Sequence, residues 1–330
     1  MAPSAIRTPP SATPPATNDD ARPILYILSE FHPEAVKHAQ TLFDCILHTD
    51  PRALRWREEA TAVLVKDYPI RAQDLKTASQ LRAIGKQGVG VDQIDTAACA
   101  QHGVKVFNTP GVNASAVAEM VMALTLNVAR DISGLWYRQL ALGEAIRKET
   151  CNGLLLTGKT VGIIGMGNIG RQVARMFSGA FHTRTVAYDP FIPEGAWSDI
   201  DHERVLDLDL LLSEADVVSI HVPLTPETAE MIGYDQLRKM KRTAILINAA
   251  RGGIVHEADL QRALDERLIW GCGFDCHAQE PPKRETYMDL WSHEHYVGTP
   301  HVAAATDETQ IATTNAAIDF VYNFMTEKDS

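Results

Sequence analysis

Gly165-Met166-Gly167-Asn168-Ile169-Gly170 is the stretch on which the fold turns. Alone it is a weak G-x-G-x-x-G pattern, because glycine-rich loops are common. Its flanks decide the reading. Thr160-Val161-Gly162-Ile163-Ile164 before it is an apolar run of strand length. Ile169, Val173, Met176 and Phe177 after it recur at helical spacing. Val186-Ala187-Tyr188 then reads as a second strand and runs into Asp189. Strand, tight turn, helix, strand and acid, in that order, describe a dinucleotide site. Gly165 permits the turn, Gly167 lets the backbone approach a pyrophosphate, and Gly170 lets helix and strand pack closely. The helix starting at Asn168 and Ile169 offers free N–H groups and a positive dipole end to phosphates. Asp189 can accept from a ribose hydroxyl pair, and its charge would repel a 2′-phosphate. No Arg or Lys follows it before Pro193, so the expected cofactor is NAD rather than NADP.

The rest of the composition bounds what such a site can serve. The chain has 330 residues, enough for two domains. It is 45% hydrophobic and 22% charged, with a formal net charge of −11. That balance argues against a nucleic-acid footprint. An anionic substrate would need a local basic site. No apolar run reaches transmembrane length, so no membrane contact is expected. Five scattered cysteines fit reduced thiols and a cytoplasmic location. Cys272 and Cys276 sit in a strand-like run over 270–276 and read as small buried residues, so no metal is expected. Residues 1–22 hold Pro3, Pro9, Pro10, Pro14 and Pro15 among Ser, Thr and Ala. They cannot bury enough apolar surface to order themselves and are read as a disordered tail. Few arginines and an acidic end make this tail a poor mitochondrial presequence, and it has no secretory core.

Strand and helix signals alternate in two blocks. The first gives strands at 24–28, 62–65, 81–85 and 104–107, with helices at 33–41 and 92–101. The second gives strands at 161–165, 185–189, 216–221, 244–249, 271–275 and 296–299. Such alternation predicts parallel sheets covered on both faces. Between the blocks, 114–130 is an alanine-rich helix capped by Asn113 or Ser115, apolar enough to lie between domains or against another subunit. The chain is expected to cross over at Thr109-Pro110-Gly111 and at Thr299-Pro300-His301. A helix at 308–325 then returns to the first block. The predicted fold is α/β, with two doubly wound Rossmann-like domains. The first, over 23–110 and 302–330, is discontinuous and flavodoxin-like; the second, over 111–301, is inserted into it. Gly88-Val89-Gly90-Val91-Asp92-Gln93 resembles another dinucleotide loop but lacks the third glycine. It is read as a turn with backbone N–H groups facing a cleft.

Three polar residues fall where βα loops reach the carboxyl edge of the second sheet: Arg251, Glu280 and His301. Ligands of such sheets bind at that edge. Each residue alone has an ordinary structural reading; their joint placement beside a dinucleotide loop carries the argument. An Arg fork can grip a carboxylate. An imidazole can take a hydroxyl proton while hydride leaves C2 of a 2-hydroxy acid. A carboxylate on that imidazole orients it and raises its pKa.

At this point the sequence resembles the D-isomer-specific 2-hydroxyacid dehydrogenases, in particular their phosphoglycerate dehydrogenase-like branch. The resemblance covers about residues 60–310. It rests on Gly88-Val89-Gly90-Val91-Asp92, the Gly165–Gly170 loop, His221-Val222-Pro223-Leu224-Thr225-Pro226-Glu227-Thr228, and the segments 248–257, 274–282 and 299–306. It implies that Arg251, Glu280 and His301 form the catalytic triad. It implies cofactor contacts from Gly165, Gly167, Asn168, Ile169, Gly170, Asp189, His221, Pro223, Thr225, Ala249, Arg251 and His301, with Asp275 on the nicotinamide carboxamide. Substrate would be held by backbone of Val89 and Gly90, with Asn113, Arg251 and His301 nearby. Lys66 and Lys86 fall where phosphoglycerate enzymes carry basic residues, although Asp67 adjoins Lys66. Asn168 stands where the family often has Arg, which would weaken one pyrophosphate contact. With the sequence ending at Ser330, no regulatory extension is expected. The implied substrate is a small 2-hydroxy or 2-keto acid: phosphoglycerate, hydroxypyruvate or glyoxylate, or a bulkier 2-keto acid. The implied assembly is a homodimer through 114–130. A competing reading is an NAD(H)-sensing corepressor-like binding protein of the same fold. Formate and phosphite oxidoreductases are disfavoured by Glu280 and by Val89, respectively.

Overall fold

The computed structural model describes residues 22–193 and 195–327. The expected tail at 1–22 lies outside them except for Arg22, as do the last three residues. Two parallel sheets form. The smaller contains β1 (Ile24–Ile27), β2 (Asp44–Leu47), β3 (Ala62–Val65), β4 (Ala83–Lys86) and β5 (Lys105–Phe107), in the order β2-β1-β3-β4-β5. The larger contains β6 (Thr160–Ile164), β7 (Arg184–Tyr188), β8 (Glu203–Val205), β9 (Val217–Ile220), β10 (Ile245–Asn248), β11 (Gly271–Phe274) and β12 (Tyr296–Gly298). Its order is β12-β11-β10-β9-β6-β7-β8. Both orders reverse direction beside the first strand, the doubly wound arrangement that opens a crevice at the carboxyl ends.

Every residue of β3, β9, β10 and β11 is buried, because helices cover both faces of the sheets. The edge strands β2 and β8 were not predicted. Each has a single buried residue, Ile46 or Val205, and β8 reads Glu203-Arg204-Val205. An edge strand with few buried positions leaves little apolar signal to detect.

The helix Ala114–Arg130 packs within its own chain. Val121, Leu124 and Val128 join Val161, Ile163 and Val173 in one core. A Cβ on Gly273 would sit 2.9 Å from Leu124 Cβ, so the bare strand lets this helix lie close. Its apolar surface is therefore used on the second sheet. The exposed apolar surface belongs instead to the next helix, Ile132–Ala141, which has no buried residue. The C-terminal helix Asp307–Thr326 returns to the small sheet. There Ala317, Ile318 and Val321 pack with Leu25, Ile27 and Leu64. The first domain is thus discontinuous and the second is inserted. The helix expected over 92–101 begins only at Thr96, capped by Asp95 Oδ1 on the Ala98 N–H at 2.9 Å. Asp92 is left in the preceding turn.

Candidate active site

The glycine loop after β6 has the shape its sequence requires. Gly165 has φ +100°, and a Cβ there would meet the His221 carbonyl oxygen at 2.7 Å. A Cβ on Gly170 would collide with the Gly165 carbonyl. A Cβ on Gly167 would meet nothing within 4 Å. Two glycines are thus fixed by packing, while the third faces open space. Gly167 is the N-cap of the helix Asn168–Phe181 and makes no side-chain cap. The first N–H groups of that helix are left for an anion, so the loop fits a dinucleotide pyrophosphate. The Asn168 amide lies against Gly111 at the crossover, 3.1 Å from where a Cβ would be.

Asp189 ends β7 beside this loop. Its carboxylate accepts from the Met166 N–H at 2.9 Å and the Phe191 N–H at 3.0 Å. Arg204 on β8 braces the same turn, donating to the carbonyls of Asp189, Ile192 and Pro193 at 2.8, 2.6 and 3.0 Å. Arg204 lies beyond Pro193 in sequence, and the β7–β8 pairing brings this cation back to the turn. Further round the rim, His221 Nε2 pairs with Ser219 Oγ at 2.8 Å, while Nδ1 has no partner among the described residues. Burial pushes the His221 pKa down to about 3, so the ring is neutral. Thr225 N–H donates to Thr228 Oγ1, which donates to the Pro223 carbonyl, closing that turn.

The loops after β10, β11 and β12 bring the three chemical residues together. Asn248, fully buried, donates to the Arg251 carbonyl at 2.9 Å and accepts from the Ala250 N–H at 3.2 Å. That fixes the turn through Ala249 to Arg251. Glu280 Oε2 and His301 Nδ1 lie 2.9 Å apart. The Glu280 loop is anchored from behind: Glu257 accepts from the Ala278 N–H at 2.8 Å and the Tyr287 hydroxyl at 3.0 Å. Tyr287 in turn accepts from the Gln279 N–H at 2.9 Å. His301 has φ +56°, a left-handed conformation that costs a non-glycine residue energy and that the loop around it has to hold.

Asp275 holds His301 in that conformation. Its oxygens accept from Thr299 Oγ1 at 2.6 Å and from the N–H groups of Val302 and Ala303 at 2.9 and 3.0 Å. The residue has no exposed surface. Among the described residues Oδ2 accepts only the Ala303 N–H, so the carboxylate braces the His301 loop and retains an acceptor position for a further donor. Asp275, Cys276 and His301 have ligating atoms within 4.8 Å of one another. With both Asp275 oxygens engaged, the trio reads as the packed base of the His301 loop rather than as a metal set.

The electrostatics of the pair follow from these contacts. The Cys276 sulfur and then the Glu280 carboxylate raise the His301 pKa, to about 10. The sulfur helps only as thiolate, and burial pushes the Cys276 thiol up. Its thiol also donates to the Ala250 carbonyl at 3.4 Å. Below the thiol's own titration Glu280 is therefore the operative cause. Burial raises the Glu280 carboxyl, but the bond and charge of His301 outweigh that and hold it below the usual range.

Arg251 reaches across the cleft. Its Nε donates to Asp92 Oδ2 at 3.1 Å and its Nη1 to the Ala250 carbonyl at 2.7 Å. A Cβ on Gly90 would overlap Arg251 Nη2, so a side chain there would displace the guanidinium. Gly88 N–H is taken by Thr109 Oγ1 at 3.0 Å, and the Val89 carbonyl by Asn108 Nδ2 at 2.6 Å. The Val89 and Gly90 N–H groups make no hydrogen bond among the described residues. Lys86 is half-buried and donates to the Gln87 carbonyl at 2.5 Å; burial lowers its pKa. Lys66 lies at the end of β3, with its N–H on Ser29 Oγ at 3.1 Å. Asn113 is the helix N-cap by position, yet it makes no side-chain cap, and its buried Oδ1 has no partner among the described residues. Sequence reasoning missed Asp92, Arg204, Glu257 and Tyr287, all of which act through contacts distant in sequence.

A doubly wound dinucleotide fold with an Arg and a carboxylate-bound imidazole at its carboxyl edge defines a class of oxidoreductase. Residues 122–303 match the model of the D-isomer specific 2-hydroxyacid dehydrogenase NAD binding domain. The chain belongs to that family. It is 40% identical to the D-3-phosphoglycerate dehydrogenase of Methanocaldococcus jannaschii over 72% of this chain and 44% of that protein. It is 39% identical to the hydroxypyruvate reductase of Thermotoga maritima over 73% of this chain and 76% of that protein. The chain thus spans less than half the length of the first and about three quarters of the second. Among solved structures, the NADPH-dependent glyoxylate/hydroxypyruvate reductase of Sinorhizobium meliloti superposes with a TM-score of 0.82. It is 26% identical, covering 93% of this chain and 96% of that one. Among the described residues no helix is long and apolar enough to cross a membrane.

Proposed function

We propose that this protein is an NAD-dependent D-2-hydroxyacid dehydrogenase acting as a 2-keto acid reductase. The domain of 111–301 takes the cofactor, and the domain of 23–110 and 302–330 closes over the substrate. The single observation that carries the reading is the 2.9 Å His301–Glu280 pair on the same edge as Arg251 and the glycine loop. Arg251 Nη2 and the free N–H groups of Val89 and Gly90 hold the substrate carboxylate. Bound nicotinamide supplies hydride to C2, or takes it in the reverse direction. His301 gives its proton to the C2 oxygen during reduction and takes it back during oxidation. Glu280 keeps the imidazole charged and correctly turned. Lys86, with Lys66 behind it, favours a second anionic group on the substrate, such as the phosphate of phosphoglycerate. Asp67 opposes that preference, so hydroxypyruvate and glyoxylate stand beside it. The test is NADH oxidation over a panel of 2-keto acids. Turnover of a small 2-keto acid supports the proposal. Tight NADH binding with no turnover on the whole panel would favour the corepressor-like alternative.

Asp189 sets the cofactor preference in this proposal, since its carboxylate would face a 2′-phosphate. Asp189→Ala should relax discrimination against NADPH in side-by-side kcat/KM measurements. Its bonds to Met166 and Phe191 also shape the turn, so NADH efficiency should fall as well. A wild type that already prefers NADPH would overturn this role.

We place the homodimer contact at the end of 114–130 and on the helix that follows. Ile132 (54% exposed), Trp136 (63%), Tyr137 (56%) and Leu140 (67%) crowd one short helix. Apolar exposure so concentrated marks an interface rather than scattered surface. The paired change Trp136→Glu and Leu140→Glu should convert a dimer into monomers by light scattering after gel filtration. An unchanged mass would remove this helix from the interface.

A further inference from the structure

The geometry points to Asp92 as the residue that positions Arg251 from the opposite domain, so that closure of the cleft and assembly of the carboxylate grip are one event. The inference rests on the 2-keto acid reading above and extends it. Arg251 is held by two acceptors at different edges of its planar fork. One is its own neighbour, the Ala250 carbonyl, on Nη1; the other is Asp92 Oδ2 on Nε. A guanidinium has five donors in a rigid fork, so fixing Nε and Nη1 fixes the direction of Nη2. Nη2 then points at Gly90, where a side chain would push it aside.

Asp92 lies two residues beyond Gly90, on the loop that offers the free Val89 and Gly90 N–H groups. One short segment thus supplies both the backbone donors and the anchor for the opposing Arg. Among the described residues, no other side-chain hydrogen bond joins the two domains away from their crossovers. Both side chains are partly exposed, so the pair contributes little to stability as an ion pair. Its effect is on direction: with Nε and Nη1 held, Nη2 is aimed at the carboxylate beside the Val89 and Gly90 N–H groups, and a guanidinium without its anchor turns that donor away. When the domains part, Arg251 loses this anchor.

The opposite view makes Asp92 a competitor, an anion that must leave before substrate binds. The two views predict opposite signs. The experiment measures steady-state reduction of the best 2-keto acid by wild type, Asp92→Asn and Asp92→Ala. Each Asp92 variant is also made in an Arg251→Lys background, and NADH affinity is read by fluorescence titration. Asp92→Ala should lower kcat/KM roughly 10–100-fold, mainly through a raised keto-acid KM, with NADH affinity within twofold. Asp92→Asn should lie between, because its amide oxygen still accepts from Nε. With Lys at 251 there is no Nε edge to hold, so Asp92→Ala should cost less than about threefold there. A lowered KM in Asp92→Ala would establish competition and overturn the proposal. So would wild-type kinetics, or an equal loss in both backgrounds, which would mean that Asp92 only supports its own loop. A wild type inactive on every keto acid would sink the functional reading itself. An active wild type with an indifferent Asp92 would sink only this inference.

Discussion

Replacing Arg251 by alanine should cut kcat/KM for keto-acid reduction a hundredfold to several-thousandfold while leaving NADH affinity within a few-fold. The range corresponds to about 3–5 kcal/mol, the cost of removing one partner of a charged, hydrogen-bonded pair. The variant also leaves the Asp92 carboxylate unpaired beside the place of the incoming carboxylate. Two anions then face each other where a cation had separated them, so the loss should fall toward the upper end. Arg251→Lys restores the charge but not the fork, and should recover only part of the activity. Because the Arg251 side chain is partly exposed, its removal should leave the fold intact, which a thermal melt checks. NADH affinity is the internal control: the dinucleotide loop after β6 owes nothing to the guanidinium. Wild-type kcat/KM in Arg251→Ala would end its assignment to the substrate carboxylate.

The parts of this site that were legible in the sequence share one property: each is decided within a few residues. The glycine loop is legible because Gly165 and Gly170 answer close contacts inside one strand–turn–helix unit. Arg251, Glu280 and His301 are legible because each lies just past a strongly apolar strand, and doubly wound sheets put such positions on one edge. The central strands are legible because burial on both faces demands apolar residues at every position. Edge strands escape this logic, as β2 and β8 show with one buried residue each. The positioning groups escape it too. Asp92 meets Arg251 across 159 positions of sequence, and Arg204 reaches the Asp189 turn only through the β7–β8 pairing. Asp275 escapes it in part: three donors from 299–303 reach its carboxylate, and no local pattern reveals that it braces the His301 loop.

His301 and Glu280 should behave as one unit, and the pH profile of reduction is where this shows. Reduction needs the imidazolium, so activity is present below the His301 pKa and is lost as pH rises through it. Contacts raise that pKa from the ordinary 6.5 to about 10, with Cys276 and Glu280 as the causes. The share of this rise that Glu280 supplies favours the folded state below pH 6.5, and it is lost as pH climbs through the raised His301 pKa. Since burial keeps Cys276 a thiol over most of this window, Glu280 is the anion that matters. Glu280→Gln removes that charge, so the loss of reduction should move to lower pH, toward the ordinary value of a histidine. Oxidation of the hydroxy acid, which needs the neutral ring, should become available at lower pH in the same variant. His301→Ala should cost more, roughly 10²–10⁴-fold, because it removes the proton carrier and not only its orienter. The double variant should be little worse than His301→Ala, since Glu280 has no imidazole left to hold. The measurement is kcat/KM for reduction against pH in wild type, both single variants and the double. A profile unmoved by Glu280→Gln, or losses that simply add, would show that the 2.9 Å contact is not the working acid–base pair.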